Sequence, residues 1–280
     1  MSDKLPSVRV RLDQSLTSTK AKPRIPFDGC PLCASRDIAA HRRGNCSRHP
    51  LYHPFVEPIM VWMACRTCEH VFTQGYFSSE VSDAVFGKTH DQQKPGLGFE
   101  QHRLISGRIV QEVARHASGG RWLDVGFGNG SLLFTAEEFG FEPVGVDLRA
   151  SSVEEMQRLG FEAHCVDIAA FGQDGNFSVI SMADVLEHMP FPKQGLEAAH
   201  RLLKPGGVLF VSMPNYNCAA WRLADRAKAN PFWSEIEHYH NFSRQRLQAL
   251  LQEMGFEPRS YRVSERYRLC MELIAERRPA

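Results

Sequence analysis

One stretch constrains this chain more than any other: Arg121-Trp-Leu-Asp-Val-Gly-Phe-Gly-Asn-Gly-Ser-Leu-Leu133. Trp122, Leu123 and Val125 form a short apolar run of the kind that makes a buried strand. Glycines stand at 126, 128 and 130, and an apolar helical pattern begins at Leu132. Strand, glycine turn and helix N-terminus together make a backbone cradle for a nucleotide-like ligand, because only a residue without Cβ allows so close an approach. The dinucleotide fingerprint G-x-G-x-x-G is not met, since Ser131 stands where its third glycine would fall. Taken alone, such glycines are also explained by a tight turn that binds nothing.

Four more segments along the chain narrow the choice. Pro143-Val-Gly-Val-Asp147 reads as a second strand ending in an acid, 21 residues after Gly126. An acid at that strand end accepts hydrogen bonds from ribose hydroxyls. Ala163-His-Cys-Val-Asp167-Ile168 reads as a third strand, again with an acid at its end. Phe177 to Met182 is a fourth, running into Ala183-Asp-Val-Leu-Glu-His188, and Leu202 to Ser212 supplies a Lys-Pro-Gly-Gly turn and a fifth.

These landmarks, in this order and with Asp124 ahead of G-x-G-x-G, resemble the class I S-adenosylmethionine-dependent methyltransferases. The resemblance covers roughly residues 95–280. It implies an α/β fold with a Rossmann-like sheet of seven strands, the last antiparallel, and S-adenosylmethionine as cofactor. It also implies that Asp124, Gly126, Phe127, Gly128, Gly130, Asp147, Leu148, Asp167, Ile168 and Ala183 hold that cofactor. Asp147 would take the ribose and Asp167 the adenine amino group. The Ile168 N–H would meet the ring, and the segment from Ala183 to His188 would lie beside the methionine end.

Ahead of this region stand two C-x-x-C knuckles, Cys30-Pro-Leu-Cys33 and Cys65-Arg-Thr-Cys68, with 31 residues between them. Two thiolate pairs of this spacing converge on one tetrahedral zinc ion. Disulfides are disfavoured in a chain without a secretion signal, which points to a reducing compartment, and two such motifs argue against thioredoxin-like redox chemistry. Iron is the competing metal. Four thiolates close the coordination shell, so the expected zinc is structural. Such a ribbon in front of a methyltransferase resembles bacterial enzymes with an N-terminal zinc-binding domain, deoxysugar C-methyltransferases among them.

The length of 280 residues suits one large domain and a small one. The expected organisation is a mobile tail over 1–28 with some pairing near Val8–Val10, a zinc ribbon over 29–80, a connector over 81–98, and a methyltransferase domain over 99–280. Leu104, Ile105, Ile109 and Val113 predict a helix in the segment 99–117. Ser243 caps a second helix, with Leu247, Leu250, Leu251 and Met254 on one face. Two closing strands are expected over 258–263 and 268–275. No apolar run spans a membrane and no signal core is present, so a cytoplasmic protein is expected. A net charge of +1, and five arginines against four acids between Cys30 and Glu80, argue against a nucleic-acid partner.

Methyl transfer from a sulfonium is an in-line displacement, and an acceptor of high pKa also needs a base. The candidate bases are His188, after the fourth strand, and His238 and His240, in an insert over 213–242 that is expected to cover the substrate. Their competing role is to pack that insert. The expected function is methyl transfer to O or C of a small biosynthetic intermediate, sugar-derived or otherwise. The alternatives are an RNA methyltransferase whose ribbon holds RNA, and a non-enzymatic module that binds cofactor and a protein partner.

Overall fold

A computed structural model describes residues 23–87, 93–267 and 269–279. The expected tail therefore lies mostly outside the described residues, and so does the pairing near Val8–Val10. Its last part is held in place. Strand β1 (Ile25–Pro26) pairs antiparallel with β5 (Gly75–Tyr76). The guanidinium of Arg24 is buried, donates to the carbonyls of Gly75 (3.3 Å) and Ile236 (3.1 Å), and sits 4.0 Å from the centre of the Phe77 ring. A reading from composition treats an arginine as solvated. Here carbonyls and an aromatic face replace the water.

The central sheet has seven strands: β6 (Gly120–Val125), β7 (Phe141–Asp147), β8 (Glu162–Cys165), β9 (Phe177–Ala183), β10 (Leu203–Pro214), β12 (Phe256–Val263) and β13 (Cys270–Arg277). Their spatial order is β12-β13-β10-β9-β6-β7-β8, and β13 runs antiparallel to both neighbours. This is the expected methyltransferase sheet. The helices are α1 (Ser79–Phe86), α2 (Phe99–Val113), α3 (Ser131–Glu138), α4 (Ala150–Arg158), α5 (Pro192–Leu202), α6 (Ala219–Arg226) and α7 (Arg244–Glu253). Alternation along β6 shows how the sequence builds the layers. Trp122 faces Ile109, Val110 and Val113 of α2, while Leu123 and Val125 join the opposite core. That opposite face is covered by α5 through Leu196, Ala199 and Leu202, and by α7 through Leu247, Leu250 and Leu251. Ser243 caps α7 as expected, its hydroxyl accepting from Arg246 N at 3.1 Å. Among the described residues no helix is long and apolar enough to cross a membrane.

The ribbon is not closed on itself. Strands β2 (Ile38–Asn45), β3 (Ile59–Cys65) and β4 (Val71–Thr73) form an antiparallel sheet, and its other edge is β11 (His240–Asn241), contributed by the insert. Trp62 Nε1 donates to Trp233 O at 3.0 Å and Thr73 N to Tyr239 O at 2.9 Å. Met60, Trp62, Val71 and Phe77 share one buried cluster with Trp221, Trp233, Ile236 and Tyr239. Cys30, Leu32, Cys65 and Phe72 are continuous with the core beneath the large sheet. Spacing within the knuckles carries no trace of this seam, because the two partners lie far apart in sequence.

Gly44 marks the tightest point of the seam. A Cβ placed there would stand 1.6 Å from the carbonyl oxygen of Trp233. Gly44→Ala is therefore expected to destabilise the whole protein by about 1–3 kcal/mol, the scale of an overpacked core. Chemical denaturation followed by tryptophan fluorescence checks this, and an unchanged midpoint would show that the seam yields without cost.

Candidate active site and metal centre

The chain runs β6, β7, β8 outward on one side of the sheet, then returns to place β9 on the other side of β6. Ligands of open α/β sheets bind outside the carboxyl ends of the strands at such a reversal. The loops after β6 and β9 meet there: a Cβ on Gly126 would lie 3.2 Å from Val185 Cγ2. Gly126, Gly128 and Gly130 all have left-handed φ, at 64°, 55° and 75°. Backbone conformation by itself thus favours glycine at these three positions. Helix α3 starts directly after them. The Phe127 side chain is turned inward and packs on Gly145.

The strand-end acids differ in state. Asp147 is buried and holds Arg149 bidentately, Nε to Oδ1 and the guanidinium NH2 to Oδ2, both at 2.9 Å. Motif spacing does not mark Arg149, although its position two residues after the acid is visible in the sequence. Oδ1 also accepts from Arg149 N at 2.9 Å, so Oδ2 is the oxygen that keeps more lone-pair capacity. Asp167 is exposed and caps a short turn, accepting from Ala169 N at 2.8 Å, next to buried Ile168. Leu148 is 72% exposed, an open apolar surface at the same strand ends. Asp124 lies directly under the glycine turn, 3% exposed, and accepts from Ser181 Oγ at 2.5 Å. Burial, only partly opposed by that hydrogen bond, pushes its pKa up to about 7.

Beyond Ala183 the backbone turns through Asp184, a non-glycine residue with φ of 58°. Ser212 Oγ donates to Asp184 Oδ1 at 3.0 Å, and Arg266 approaches Oδ2 at 3.5 Å. A 3-10 turn, Leu186–His188, comes next. It gathers Glu187, His188 and His238, with their carboxylate and imidazole atoms within 4.8 Å of one another. Glu187 is 1% exposed and neither carboxyl oxygen has a hydrogen-bond partner. Burial, reinforced by Asp184, holds its pKa well above the carboxylate range. His238 is buried with Nδ1 unpartnered, edge-on to His188 at 4.7 Å between ring centres. Burial and the adjacent His188 keep its pKa well below the usual imidazole value. His188 is only half-buried, and its Nδ1 lies 3.2 Å from Glu237 O.

His240 stands apart from this pair. It is 1% exposed, with Nδ1 3.0 Å from His70 Nε2 and Nε2 2.9 Å from Met189 O. Burial lowers its pKa to about 4. Both ring nitrogens are engaged inside the core, so neither can take a proton from an acceptor. The expectation of His240 as a base gives way to packing, because β11 turns this ring into the seam between ribbon and sheet.

The four knuckle cysteines converge. Their sulfurs lie within 4.8 Å of one another, and the pairs Cys30–Cys68 and Cys33–Cys65 are each 3.6 Å apart. That is far beyond a disulfide bond and close to the edge of about 3.8 Å that zinc–sulfur bonds of about 2.3 Å give a tetrahedron. The knuckles repeat one geometry. Ala34 N donates to Cys30 O and Glu69 N to Cys65 O, while Cys30 N meets Ser35 O and Cys65 N meets His70 O. Ala34 and Glu69 both take left-handed φ, at 58° and 59°. The cluster is compatible with a structural zinc, which these four thiolates would hold.

This fold, with its strand-end crevice, is that of the class I S-adenosylmethionine-dependent methyltransferases. A family model described as a methyltransferase domain matches residues 99–261, and the chain belongs to that family. Similar curated proteins include the ubiquinone biosynthesis O-methyltransferases of Xanthomonas campestris pv. campestris (strain B100), 35% identical over 132 residues, and Idiomarina loihiensis, 34% identical over 113. These alignments cover 44% and 38% of this chain, and 55% and 46% of the relatives. The chain thus spans about half the length of the curated relatives it matches. A similar fold is that of the 1,6-didemethyltoxoflavin-N1-methyltransferase of Burkholderia thailandensis, solved with S-adenosylhomocysteine. Its TM-score is 0.56 at 16% identity, covering 75% of this chain and 96% of that one.

Two outcomes are expected. Asp124 is neutral below its raised pKa and ionises as pH rises through about 7. An ionised carboxylate beneath the glycine turn would favour a cationic sulfonium bound above it. S-adenosylmethionine should therefore bind more tightly as pH rises from 5.5 to 7.5, by no more than about tenfold per pH unit. Calorimetry should show this rise flattened in Asp124→Asn; an equal slope in both proteins assigns the pH dependence elsewhere. Separately, metal analysis should find about one zinc per chain. Given the shared core, Cys65→Ser with Cys68→Ser should lower the thermal stability of the sheet domain as well as the ribbon, which calorimetric scanning reads directly.

Proposed function

We propose that this enzyme methylates a hydroxyl oxygen of a small ring-containing biosynthetic intermediate, with His188 as the general base. One observation carries the reading, the hydrogen bond between His188 Nδ1 and the backbone carbonyl of Glu237. A carbonyl only accepts, so Nδ1 carries the proton and the lone pair of Nε2 is left to act. The half-buried ring keeps access to solvent. His238 and Glu187 are both buried, so His188 is the most accessible of the three. The rings of Phe86 at 5.9 Å and His238 at 4.7 Å stand edge-on to His188. Such walls favour a flat or ring-shaped acceptor.

S-adenosylmethionine supplies a methyl group already activated by its positive sulfur. The residues of the chain bind and orient both partners, exclude water and move one proton. A phenol-like hydroxyl has a pKa near 10. His188 Nε2 would accept that proton as the oxygen attacks, and the Glu237 carbonyl would stabilise the resulting imidazolium through Nδ1–H. The curated relatives are named for O-methylation in ubiquinone biosynthesis, which supports oxygen over carbon as the acceptor.

Transfer of labelled methyl should be seen to a panel of phenols and sugar nucleotides, and not to RNA. On the best acceptor, His188→Gln should lose 10²–10⁴-fold in kcat, the usual scale of general-base catalysis. Affinity for S-adenosylhomocysteine should stay unchanged. A loss within about tenfold would mean that proximity alone drives the reaction, and preferred transfer to RNA or to a thiol would overturn the acceptor class.

A further inference from the structure

The turn that carries His188 has no strand of its own to fix it. Three successive residues are instead tied to the insert. Tyr239 N donates to Glu187 O at 2.8 Å, His188 Nδ1 donates to Glu237 O at 3.2 Å, and His240 Nε2 donates to Met189 O at 2.9 Å. The insert is in turn tied to the ribbon by Thr73 N on Tyr239 O and by the pairing of His240 and Asn241 with Phe72 and Val71. His70 Nε2 on His240 Nδ1 adds a side-chain link. His70 lies two residues past Cys68, and its own carbonyl accepts from Cys65 N at 2.9 Å.

The protons along this chain of contacts are fixed by elimination. The Met189 carbonyl only accepts, so His240 carries its proton on Nε2 and presents a bare Nδ1. His70 must then donate from Nε2, which leaves His70 Nδ1 bare. That atom is buried and unpartnered, as this assignment requires. Both rings are buried, so the Met189 carbonyl fixes the tautomer of His240 and, through it, that of His70. Stacking of His70 on Phe72 and His240 leaves little room for a ring flip.

We infer that His70 and His240 are positioning residues that hold the His188 turn through the Met189 carbonyl, so that the four-cysteine metal centre sets the placement of the catalytic base. This rests on the reading of His188 as the base. Neither residue needs to touch substrate. The ribbon thereby contributes to the active site through hydrogen bonds, without lending it a reacting group.

The test reads the tautomer of His188 by long-range proton–nitrogen NMR of the full-length, zinc-loaded protein, with the signal assigned by its loss in His188→Gln. Wild type should show Nδ1 protonated and Nε2 bare. His240→Phe keeps an aromatic ring beside Phe27 and Phe242 but removes the donor to Met189, and should release His188 into a mixture of tautomers. His240→Gln restores an N–H and should restore the single tautomer. Stripping the metal with a chelator should release it too, and adding Zn²⁺ should reverse this. Affinity for S-adenosylhomocysteine should stay within about twofold while the protein stays folded, since none of these changes touches the glycine turn. A wild-type tautomer in folded His240→Phe, or in the metal-free protein, overturns the inference. If His240→Phe fails to fold, His70→Phe removes only the outer donor and is read the same way. Full activity in His188→Gln would instead remove the base while leaving the tautomer lock intact, so the two failures are distinct.

Discussion

The short pairing of β4 with β11 is the constraint on which the rest of this architecture depends. Two residues of the insert, His240 and Asn241, complete the edge of a sheet whose other strands come from the N-terminal part of the chain. Through that edge the ribbon, the insert and the turn after β9 become one packed body. Trp62 against Trp233 and Arg24 against Ile236 O extend the contact on one side, and Cys65 and Phe72 reach the core of the large sheet on the other. A two-strand contact of this size would be marginal in water by itself. It persists because both flanks are buried.

The large sheet was legible because each of its signals is local. Apolar runs end in Gly126, Asp147 and Asp167, and the structure puts strand ends at or within two residues of those places. The two knuckles were legible for the same reason, since C-x-x-C spacing is a statement about one turn. The seam was not legible. His240 sits among Glu237, His238 and Tyr239 in a run that looks chemical, and nothing in that run reveals that its ring will lie against His70, 170 residues earlier. Arg24 was hidden for a related reason, because its burial depends on carbonyls supplied by Gly75 and Ile236. Asp184 and Arg266 form their pair only once the end of β9 and the loop after β12 are brought together.

The crevice after β9 is built against stability. Glu187 buries both carboxyl oxygens without a partner, His238 buries an unpartnered ring nitrogen, and Asp184 holds a left-handed backbone without being glycine. Each of these costs free energy, on the order of 1–3 kcal/mol for an unsatisfied buried group or a strained residue. Departures of this kind concentrate where a protein keeps chemistry rather than packing. The surrounding structure holds them in place: Ser212 fixes Asp184 Oδ1, and the insert fixes the backbone of Glu187 through Tyr239.

The distance along the chain between the two halves of the seam also bears on synthesis. Ribosomes add about 5–20 residues per second. The 170 residues that separate His70 from His240 therefore emerge over roughly 8–34 s. During that interval β4 is an edge strand with open N–H and C=O groups, and Val71 and Phe72 have no cover from the insert. Exposed edges of this kind are templates for pairing with other chains. The four knuckle cysteines all lie within residues 30–68, so they emerge together well before β11 exists. The N-terminal segment is thus made early and completed late, which leaves the waiting edge of β4 exposed to misassembly.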